Sequence, residues 1–410
     1  MELRPILSAL MRNKTGPVLV AVQVALSLAI LANALHVVNL RQQTSARPSG
    51  VADEHSVFYM RVRNLDTAGF EQVIATREHE LATLRAVPGV VSVAEVNQIP
   101  LSNSGNSNGW SVDRNQLRPT GNAATYDTTG NLIKTWGLKL VEGRDFRPDD
   151  LVNFDPNKDA STTADQVIIT SAIAQKAFPG QSAVGKSLYN GTGEDARTLH
   201  IIGVVERLQS PWAPTDEKAE WSVIRPLRFA FGGASYSVRA EPGQRDRVMR
   251  EAEEAIRKSS PTPKVITTES LDEARTKRYA SDRALSWTLI TVSGLLLLVT
   301  ASGIVGMASL WVTQRRKQIG VRRALGARRI DILRYFITEN LMITSTGVVA
   351  GVLLAIGLNN LMVSKLEMVR LPLGYLGAGA GLFWALGLLA VYGPAWRAAS
   401  ISPALATRTA

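Results

Sequence analysis

A ten-residue stretch, PGQSAVGKSL at 179–188, has the residue types and spacing of a phosphate-binding loop. Gly180, Gly185, Lys186 and Ser187 match the pattern G-x-x-x-x-G-K-[ST], in which backbone amides and the lysine bind the phosphates of a nucleotide. Such a loop joins a hydrophobic strand directly to a helix whose N-terminus meets the phosphates. Here a short helical segment precedes the motif and strand-like residues follow it. The sequence therefore predicts a turn that enters a β-hairpin, and no nucleotide site.

Other residues that could do chemistry are sparse. The chain has no cysteine, and its four histidines, His36, His55, His79 and His200, show no spacing typical of a metal site. The sequence HELAT, which begins at His79, lacks the second histidine of the H-E-x-x-H zinc motif. No Ser/His/Asp arrangement can be argued from these positions. The sequence therefore predicts a non-catalytic protein without a metal or a cofactor.

Four long stretches of the chain contain no Asp, Glu, Lys or Arg. Each has at least 25 residues, whereas a bilayer core needs only about 20 helical residues. The sequence therefore predicts four transmembrane helices in a lipid bilayer, at 15–40, 284–313, 340–364 and 371–396. An A-x-A sequence at Ala32–Ala34 leaves open a cleaved signal peptide, but the length of the first stretch favours an uncut anchor. Gly347 and Gly351 form a G-x-x-x-G pair, which permits close helix packing.

Positive charge beside these stretches predicts their orientation. The segment 314–334 carries eight Arg and Lys residues against one acid, Asp331, and the segment 1–14 carries three basic residues against one acid. Because short basic loops stay in the cytoplasm, both termini and this loop are predicted inside and 41–283 outside. The outside segment has 31 basic and 31 acidic residues, so the whole net charge of +11 (15 − 4) lies beside the membrane. The excess indicates topology and not a nucleic-acid partner.

The outside segment contains two similar successions of strand, helix and strand. They are predicted at 57–63, 70–87 and 90–96, and again at 235–240, 245–259 and 264–268. Two such units separated by an insertion predict a split ferredoxin-like core. The insertion, at about 99–221, is rich in Gly, Asn and Thr and is predicted to be a mostly β subdomain.

The chain then returns to the membrane through a segment without proline, 270–313. Ser270 and Glu273 have the spacing of a capping box, which starts a helix. If this helix is continuous, it is about 65 Å long at 1.5 Å per residue, roughly twice the thickness of a bilayer core. The sequence predicts such a stalk, with a break near Ser281 as the alternative.

The loop QRRKQIGVRRALGARRIDILRYFITEN (314–340) has features beyond its positive charge. Gly320 and Gly326 are predicted to break the helix on either side of VRRAL, which leaves a short segment across the membrane surface. The helix then restarts, with three apolar residues predicted on one side, Ile330, Leu333 and Phe336. Between two rigid spans, such a segment could receive a push from a cytoplasmic partner.

This loop closely resembles the loop between spans two and three of the MacB/FtsX-type ABC transporter permease family. The stretch PAWRAASISPALATR (394–408) resembles that family's C-terminal motif, and VEGRDFRPDD (141–150) and HIIGVVERLQSPW (200–212) resemble its periplasmic core. Gln318 stands where the family often has Glu. The tail also departs from the family at Trp396, Ser402, Leu405 and Thr407, which weakens any expectation of contacts between the tail and an ATPase.

The resemblance implies a bacterial inner-membrane protein, without a fused ATPase, that has four transmembrane α-helices, a large α+β periplasmic domain and cytoplasmic termini. The implied division is a cytoplasmic segment with span one at 1–40, a periplasmic core domain at 41–269, a stalk with span two at 270–313, a coupling loop at 314–336, spans three and four at 337–364 and 371–396, and a cytoplasmic tail at 397–410. In this family a cytoplasmic ABC ATPase moves the loops, and the stalks transmit the motion outward.

The resemblance also implies contacts and partners. The residues expected to contact the ATPase are Gly320, Val321, Arg322, Arg323, Leu325, Gly326 and Ala327. The arginines would pair with its acids, and Val321 and Leu325 would fill an apolar cleft. The other implied partners are a second permease subunit, identical or different, a periplasmic adaptor and an outer-membrane channel. Glu339 matches a family position, and its expected role is interfacial.

The leading interpretation is a permease subunit that transmits ATPase motion to a periplasmic domain and so drives export or efflux of a periplasmic substrate. The alternative is an FtsX-like signal relay that regulates a periplasmic cell-wall hydrolase. The insertion at 99–221 favours export, because an adaptor needs a docking surface.

Overall fold

The computed structural model describes residues 10–11, 14–65, 69–155, 163–229, 233–366 and 369–400. Most of the basic segment 1–14 and the tail departures Ser402, Leu405 and Thr407 lie outside these residues. The chain forms two compact units. A membrane unit comprises Met1–Gln43 and Asp282–Ala410, and an extramembrane unit comprises Thr44–Ser281.

The two units are built from the following elements. The helices are α1 (Thr15–Ser45), α2 (Phe70–Arg85), α3 (Leu132–Trp136), α4 (Ser171–Ala177), α5 (Arg245–Lys258), α6 (Leu271–Arg278), α7 (Ala280–Gln314), α8 (Arg316–Ala324), α9 (Arg329–Leu366) and α10 (Leu373–Ala399). The strands are β1 (Val57–Asn64), β2 (Val90–Glu95), β3 (Ser107–Trp110), β4 (Gly121–Asp127), β5 (Leu140–Gly143), β6 (Val152–Phe154), β7 (Gln166–Thr170), β8 (Ser187–Asn190), β9 (Arg197–Val205), β10 (Ser222–Arg225), β11 (Leu227–Phe229), β12 (Ala234–Ala240) and β13 (Lys264–Ser270).

Among the described residues, four helices, α1, α7, α9 and α10, are long and apolar enough to cross a bilayer. This confirms the four predicted spans. Their shared core is apolar and includes Val24 and Leu28 of α1 and Phe383 of α10. A Cβ atom at Gly347 would lie 2.7 Å from the Ala21 carbonyl oxygen. A Cβ atom at Gly351 would lie 2.9 Å from the Ala25 carbonyl oxygen of α1. The G-x-x-x-G pair therefore allows α9 to pack closely against α1 within one chain.

The predicted uninterrupted helix over 270–313 is divided into α6 and α7. Its capping box is present, because the Glu273 amide donates to the Ser270 hydroxyl (3.1 Å) and the Ser270 amide donates to the Glu273 carboxylate (2.9 Å). The helix is interrupted at Tyr279, two residues before the alternative at Ser281. Tyr279 is 2% exposed and packs with Leu101 and Ala213. These tertiary contacts fix the end of α6, and no proline or glycine is needed there.

The extramembrane unit contains the predicted ferredoxin-like core. Strands β13, β1, β12 and β2 form one sheet in that order, and all neighbours are antiparallel. With α2 and α5 the chain order is β-α-β-β-α-β, which is the split βαβ arrangement. Alternate residues of β1, Phe58, Met60 and Val62, pack against both helices in an apolar core.

The segment between β2 and β12 forms the second, mostly β part of this unit. Its main sheet has the order β3-β4-β10-β7-β9-β5, and β8 pairs with β9. The sheet extends past Trp221, where the sequence placed the end of the insertion, because β10 lies between β4 and β7. Trp136 of this part is 1% exposed, and its indole N–H donates to the Ser237 hydroxyl of the ferredoxin-like sheet at 2.7 Å. The two parts therefore share a core.

The phosphate-loop-like motif lies at the start of the β8–β9 hairpin. Gly180 (φ +70°) and Gly185 (φ +83°) have left-handed backbone conformations that favour glycine. Strand β8 begins at Ser187, directly after Lys186, and pairs antiparallel with β9. The Lys186 ammonium donates to the Gln181 side chain and lies 4.6 Å from the centre of the Phe178 ring. The prediction of a hairpin entry in place of a strand–loop–helix is confirmed.

An ion pair connects α6 to the segment that precedes β1. Arg275 donates to both carboxylate oxygens of Glu54, at 2.8 and 2.6 Å, and to the Ser45 carbonyl at 2.9 Å. Burial alone raises the pKa of Glu54, but the hydrogen bonds and charge of Arg275, together with Ser49, bring this pKa below its ordinary value. The pair therefore stabilises the folded unit while Glu54 is ionised.

Glu54→Gln should lower the stability of the chain by about 1–3 kcal/mol at neutral pH, because a charged hydrogen-bond acceptor is lost. Because the pKa of Glu54 is lower in the folded chain than in the unfolded chain, the ionised carboxylate stabilises the fold fully at pH values above the unfolded-state pKa. This stabilisation is lost as the pH falls through the folded-state pKa. The difference in unfolding temperature between wild type and variant should therefore shrink below the ordinary pKa of 4.5. Thermal unfolding across pH measures this difference. Glu71→Gln, at an exposed position of α2, is the control and should stay within about 0.5 kcal/mol of wild type at neutral pH. A Glu54→Gln difference that is equal in acid and at neutral pH would contradict the assignment.

Candidate functional site

The loop between α7 and α9 folds as a short helix, α8, with a defined end at each side. Arg315 separates α8 from α7 with a non-helical backbone (φ −100°, ψ 13°). At the other end, Gly326 has φ +96°, a left-handed conformation that favours glycine. The Gly326 amide donates to the Arg323 carbonyl (3.2 Å), and the Ala327 amide donates to the Arg322 carbonyl (3.0 Å). This double closure is a Schellman motif and ends α8 as the sequence predicts at Gly326.

Gly320 does not break the helix, contrary to the prediction from the sequence. It lies in the middle of α8 and is buried. A single glycine inside a helix costs only about 1 kcal/mol relative to alanine. Packing offsets that cost, because the neighbouring Ile319 is 4% exposed and belongs to the same apolar cluster as Ala395 and Ala398 of α10. The helical segment of the loop is therefore longer than VRRAL.

Of the seven residues predicted to contact an ATPase, four are exposed, two are half-buried and Gly320 is buried. The exposed ones are Val321, Arg322, Leu325 and Gly326. Leu325 is 83% exposed and Val321 is 52% exposed, so both apolar side chains are available to a partner. Arg323 and Ala327 are half-buried, and Ala327 packs against the membrane-unit core. We call the exposed set, Val321, Arg322, Leu325 and Gly326, the coupling surface.

The start of α9 differs from the predicted apolar side. The Arg328 amide donates to the Asp331 carboxylate at 2.9 Å and caps the helix. Ile332 and Phe336 are each 4% exposed and face the core, whereas Ile330 is 50% exposed. The prediction that Ile330 shares the buried side with Leu333 and Phe336 is wrong. Ile332 takes that place, because it lies four residues before Phe336 and so on the same face of the helix.

A buried ion pair holds the base of α8 to α9, and the sequence analysis did not find it. Arg315 donates to both carboxylate oxygens of Glu339, at 2.9 and 2.8 Å. The Glu339 side chain is 1% exposed and that of Arg315 is 22% exposed. The same guanidinium donates to the Tyr335 hydroxyl at 3.3 Å. The available signal was an acid inside an otherwise uncharged span, which needs a partner.

The last turn of α8 is also attached to α9. The Arg322 guanidinium lies 5.1 Å from the centre of the Tyr335 ring, a cation–π distance. Tyr335 therefore contacts arginines from both ends of α8, Arg315 and Arg322. With Ile319 in the core, these contacts make α8 and the first turns of α9 one packed body.

Comparison with protein families decides the assignment of the chain. A model of the MacB-like periplasmic core domain matches residues 24–256, more than half of the 410 residues. A model of the FtsX-like permease C-terminal region matches residues 290–403.

The chain belongs to the MacB-type ABC transporter permease family.

This MacB-type permease is a membrane protein with a periplasmic core domain. The coupling surface and the Arg315–Glu339 pair both lie inside the region matched by the FtsX-like model. Three strands of the ferredoxin-like sheet, β1, β2 and β12, lie inside the region matched by the periplasmic core model, and β13 lies beyond it.

Curated relatives agree with this assignment. The macrolide export ATP-binding/permease protein MacB of Chromobacterium violaceum is 26% identical over 288 residues, which cover 69% of this chain and 42% of that protein. The probable syringafactin export ATP-binding/permease protein SyfD of Pseudomonas syringae pv. tomato is 28% identical over 259 residues, with 60% and 37% covered. The chain thus spans about two fifths of the length of the curated relatives it matches.

Solved structures give two further similarities. The extracellular domain of the noncanonic ABC-type transporter YknZ from Gram-positive bacteria has 16% identity and a TM-score of 0.34, covering 52% of this chain and 99% of that one. The periplasmic region of MacB from Actinobacillus actinomycetemcomitans has 15% identity and a TM-score of 0.33, covering 58% and 97%. The family assignment rests on the sequence models.

Proposed function

We propose that this MacB-type permease transmits the motion of a separate cytoplasmic ABC ATPase to its periplasmic domain and so drives export of a substrate. The observation that carries the proposal is the coupling surface. Leu325 and Val321 expose apolar side chains beside arginines, on a helix that is tied to α9 by a buried ion pair. Exposed apolar side chains beside arginines fit the apolar core and polar rim of a protein interface.

The motion would pass along two paths from α8. One path runs through the Arg315–Glu339 pair into α9. The other runs along α7, which ends one residue before Arg315 and continues for 35 residues towards α6. Because a helix resists bending over several turns, displacement at the coupling surface would reappear at the far end of α7. The excess of basic residues in the loop favours an orientation with the loop and both termini in the cytoplasm and the large domain in the periplasm.

The partners that follow from this proposal are an ATPase dimer and a second permease subunit, together with a periplasmic adaptor and an outer-membrane channel. The named relatives are export proteins for a macrolide and for syringafactin, which supports export as the process. An FtsX-like relay to a cell-wall hydrolase is the second candidate, because the FtsX-like match covers the same loop. The large β insertion, which an adaptor could contact, favours export.

Purification of the tagged chain from native membranes, with the bound proteins identified, tests the proposal. We expect an ABC ATPase to co-purify and the ATP hydrolysis of the preparation to reside in that ATPase. The chain separated from it should show no hydrolysis. An adaptor protein among the bound proteins would support export, and a cell-wall hydrolase would support the relay. ATP hydrolysis by the separated chain would contradict the proposed division of labour.

A further inference from the structure

A polar cleft of about 470 Å³ lies on the face of the ferredoxin-like sheet that the β part covers only in part. Helices α2 and α5 cover the other face, where Phe58 and Met60 are buried. Tyr59 and Arg61 point away from these helices because side chains alternate along β1, and both line the cleft. The loop that follows β2 and Lys277 of α6 form its opposite wall. The volume is within the range of ligand sites in proteins.

The cleft carries uncompensated positive charge. Arg61 and Arg63 are exposed and lie two residues apart on the same face of β1. Among the described residues neither has a carboxylate partner, and the contact made by the Arg61 guanidinium is with the Tyr59 ring, at 5.9 Å. Within the cleft, Lys277 is paired with Glu269 at 2.7 Å, which leaves the charge of Arg61 in excess, and Arg63 lies beside the cleft on the same face of β1. The arrangement favours an anionic occupant.

The cleft also has an unsatisfied hydrogen-bonding group. The Tyr59 hydroxyl is buried and has no hydrogen-bond partner within the described part of the chain. A buried hydroxyl without a partner is destabilising by about 1–3 kcal/mol. An occupant with acceptor groups would remove that penalty.

One side of the cleft is the edge of the sheet. Strand β13 is the terminal strand and pairs with β1 alone among the described strands. Three consecutive residues of β13, Thr267, Thr268 and Glu269, line the cleft. Successive side chains of a strand point to opposite faces, so a cleft lined by all three residues runs along the edge of β13. At such an edge the backbone N–H and C=O groups are available to pair with another strand. Val265, on the face of Arg61 and Arg63, is 43% exposed and offers an apolar contact beside them.

We propose that the cleft binds an extended acidic segment of a partner protein, which adds to β13 as a further strand. The main chain of the segment pairs with the edge of β13, and its carboxylates pair with Arg61 and Arg63. This mode gives affinity through backbone hydrogen bonds and selectivity through alternate side chains. The proposal does not depend on ATPase coupling, because binding is measured without an ATPase.

Fluorescence anisotropy with the purified full chain in detergent tests the proposal. The probe is a labelled seven-residue peptide, equal in length to β13, that alternates glutamate and valine. We expect saturable binding that weakens by about tenfold or more in Arg61→Glu, because a paired charge is reversed. Arg85→Glu, an equal charge change at an exposed position of α2 on the other side of the sheet, should bind within about twofold of wild type.

Peptide variants on the wild-type chain keep the test decisive if Arg61→Glu is unstable. Replacing glutamate by glutamine in the peptide, or methylating alternate backbone nitrogens, should each reduce binding by about tenfold or more. Unchanged binding of the glutamine peptide would remove the arginines from the site, and unchanged binding of the methylated peptide would remove strand addition. Displacement of the peptide by equimolar inorganic phosphate would indicate a simple oxyanion site and would also overturn the proposal.

Discussion

Leu325→Asp should reduce the ATPase activity that the permease elicits from its partner by about tenfold or more, without loss of membrane insertion. Leu325 is 83% exposed at the end of α8, so the change removes no packing within the chain. In a complex, withdrawing a leucine from burial costs about 1.5–3 kcal/mol, and about 1.4 kcal/mol already corresponds to tenfold in affinity. If acids of the ATPase pair with Arg322 as proposed, the added negative charge also repels them.

The measurement is ATP hydrolysis by the co-purified ATPase in nanodiscs, with and without the variant permease. Leu117→Asp is the matched control, because Leu117 is 94% exposed in the extramembrane unit and undergoes the same chemical change. It should leave the ATPase rate unaltered. Equal rates for wild type and Leu325→Asp would remove the coupling surface from the mechanism.

Arg315→Ala should destabilise the membrane unit by about 3–5 kcal/mol, which is the usual effect of leaving a buried charge without its partner. The Glu339 side chain is 1% exposed, so removal of Arg315 leaves a buried carboxylate without its charged partner. Glu339→Gln should cost less, because the Arg315 side chain is 22% exposed and can turn towards water. The order of the two effects follows from which partner is more deeply buried.

Thermal unfolding in detergent compares these variants with each other and with Arg329→Ala, an exposed arginine of the same loop. The control should remain within about 0.5 kcal/mol of wild type. Arg315→Met combined with Glu339→Met should recover stability relative to Arg315→Ala, since an apolar pair leaves no charge unpaired. If Glu339→Gln is as destabilising as Arg315→Ala, the pair does not hold α8 to α9 in the way described.

Local patterns predicted the four spans, the ferredoxin-like core and the fold class. Uncharged length identified the four spans, and the two successions of strand, helix and strand identified the ferredoxin-like sheet. The positions of Gly180, Gly185 and Gly326 followed from sequence because each needs a backbone conformation that glycine adopts most easily. These features depend on a few neighbouring residues.

The remaining features depend on contacts between distant residues. Gly320 stays helical because Ile319 packs against α10, and the helix ends at Tyr279 because that side chain packs with Leu101 and Ala213. Arg315 and Glu339 are 24 residues apart, and only the folded loop brings them together. Propensity and periodicity contain no information about such partners. The exposure of Leu325, on which the proposed function depends, likewise became apparent only with the packing of α8.

The central claim is that the coupling surface and the β-rich domain act on opposite sides of the membrane. The chain has no cysteine, so one cysteine can be introduced at each of two exposed leucines, Leu117 and Leu325. A membrane-impermeant maleimide should label Leu117→Cys in intact spheroplasts and should label Leu325→Cys only after the membrane is permeabilised. Labelling of both positions from the same side in intact spheroplasts would contradict the account.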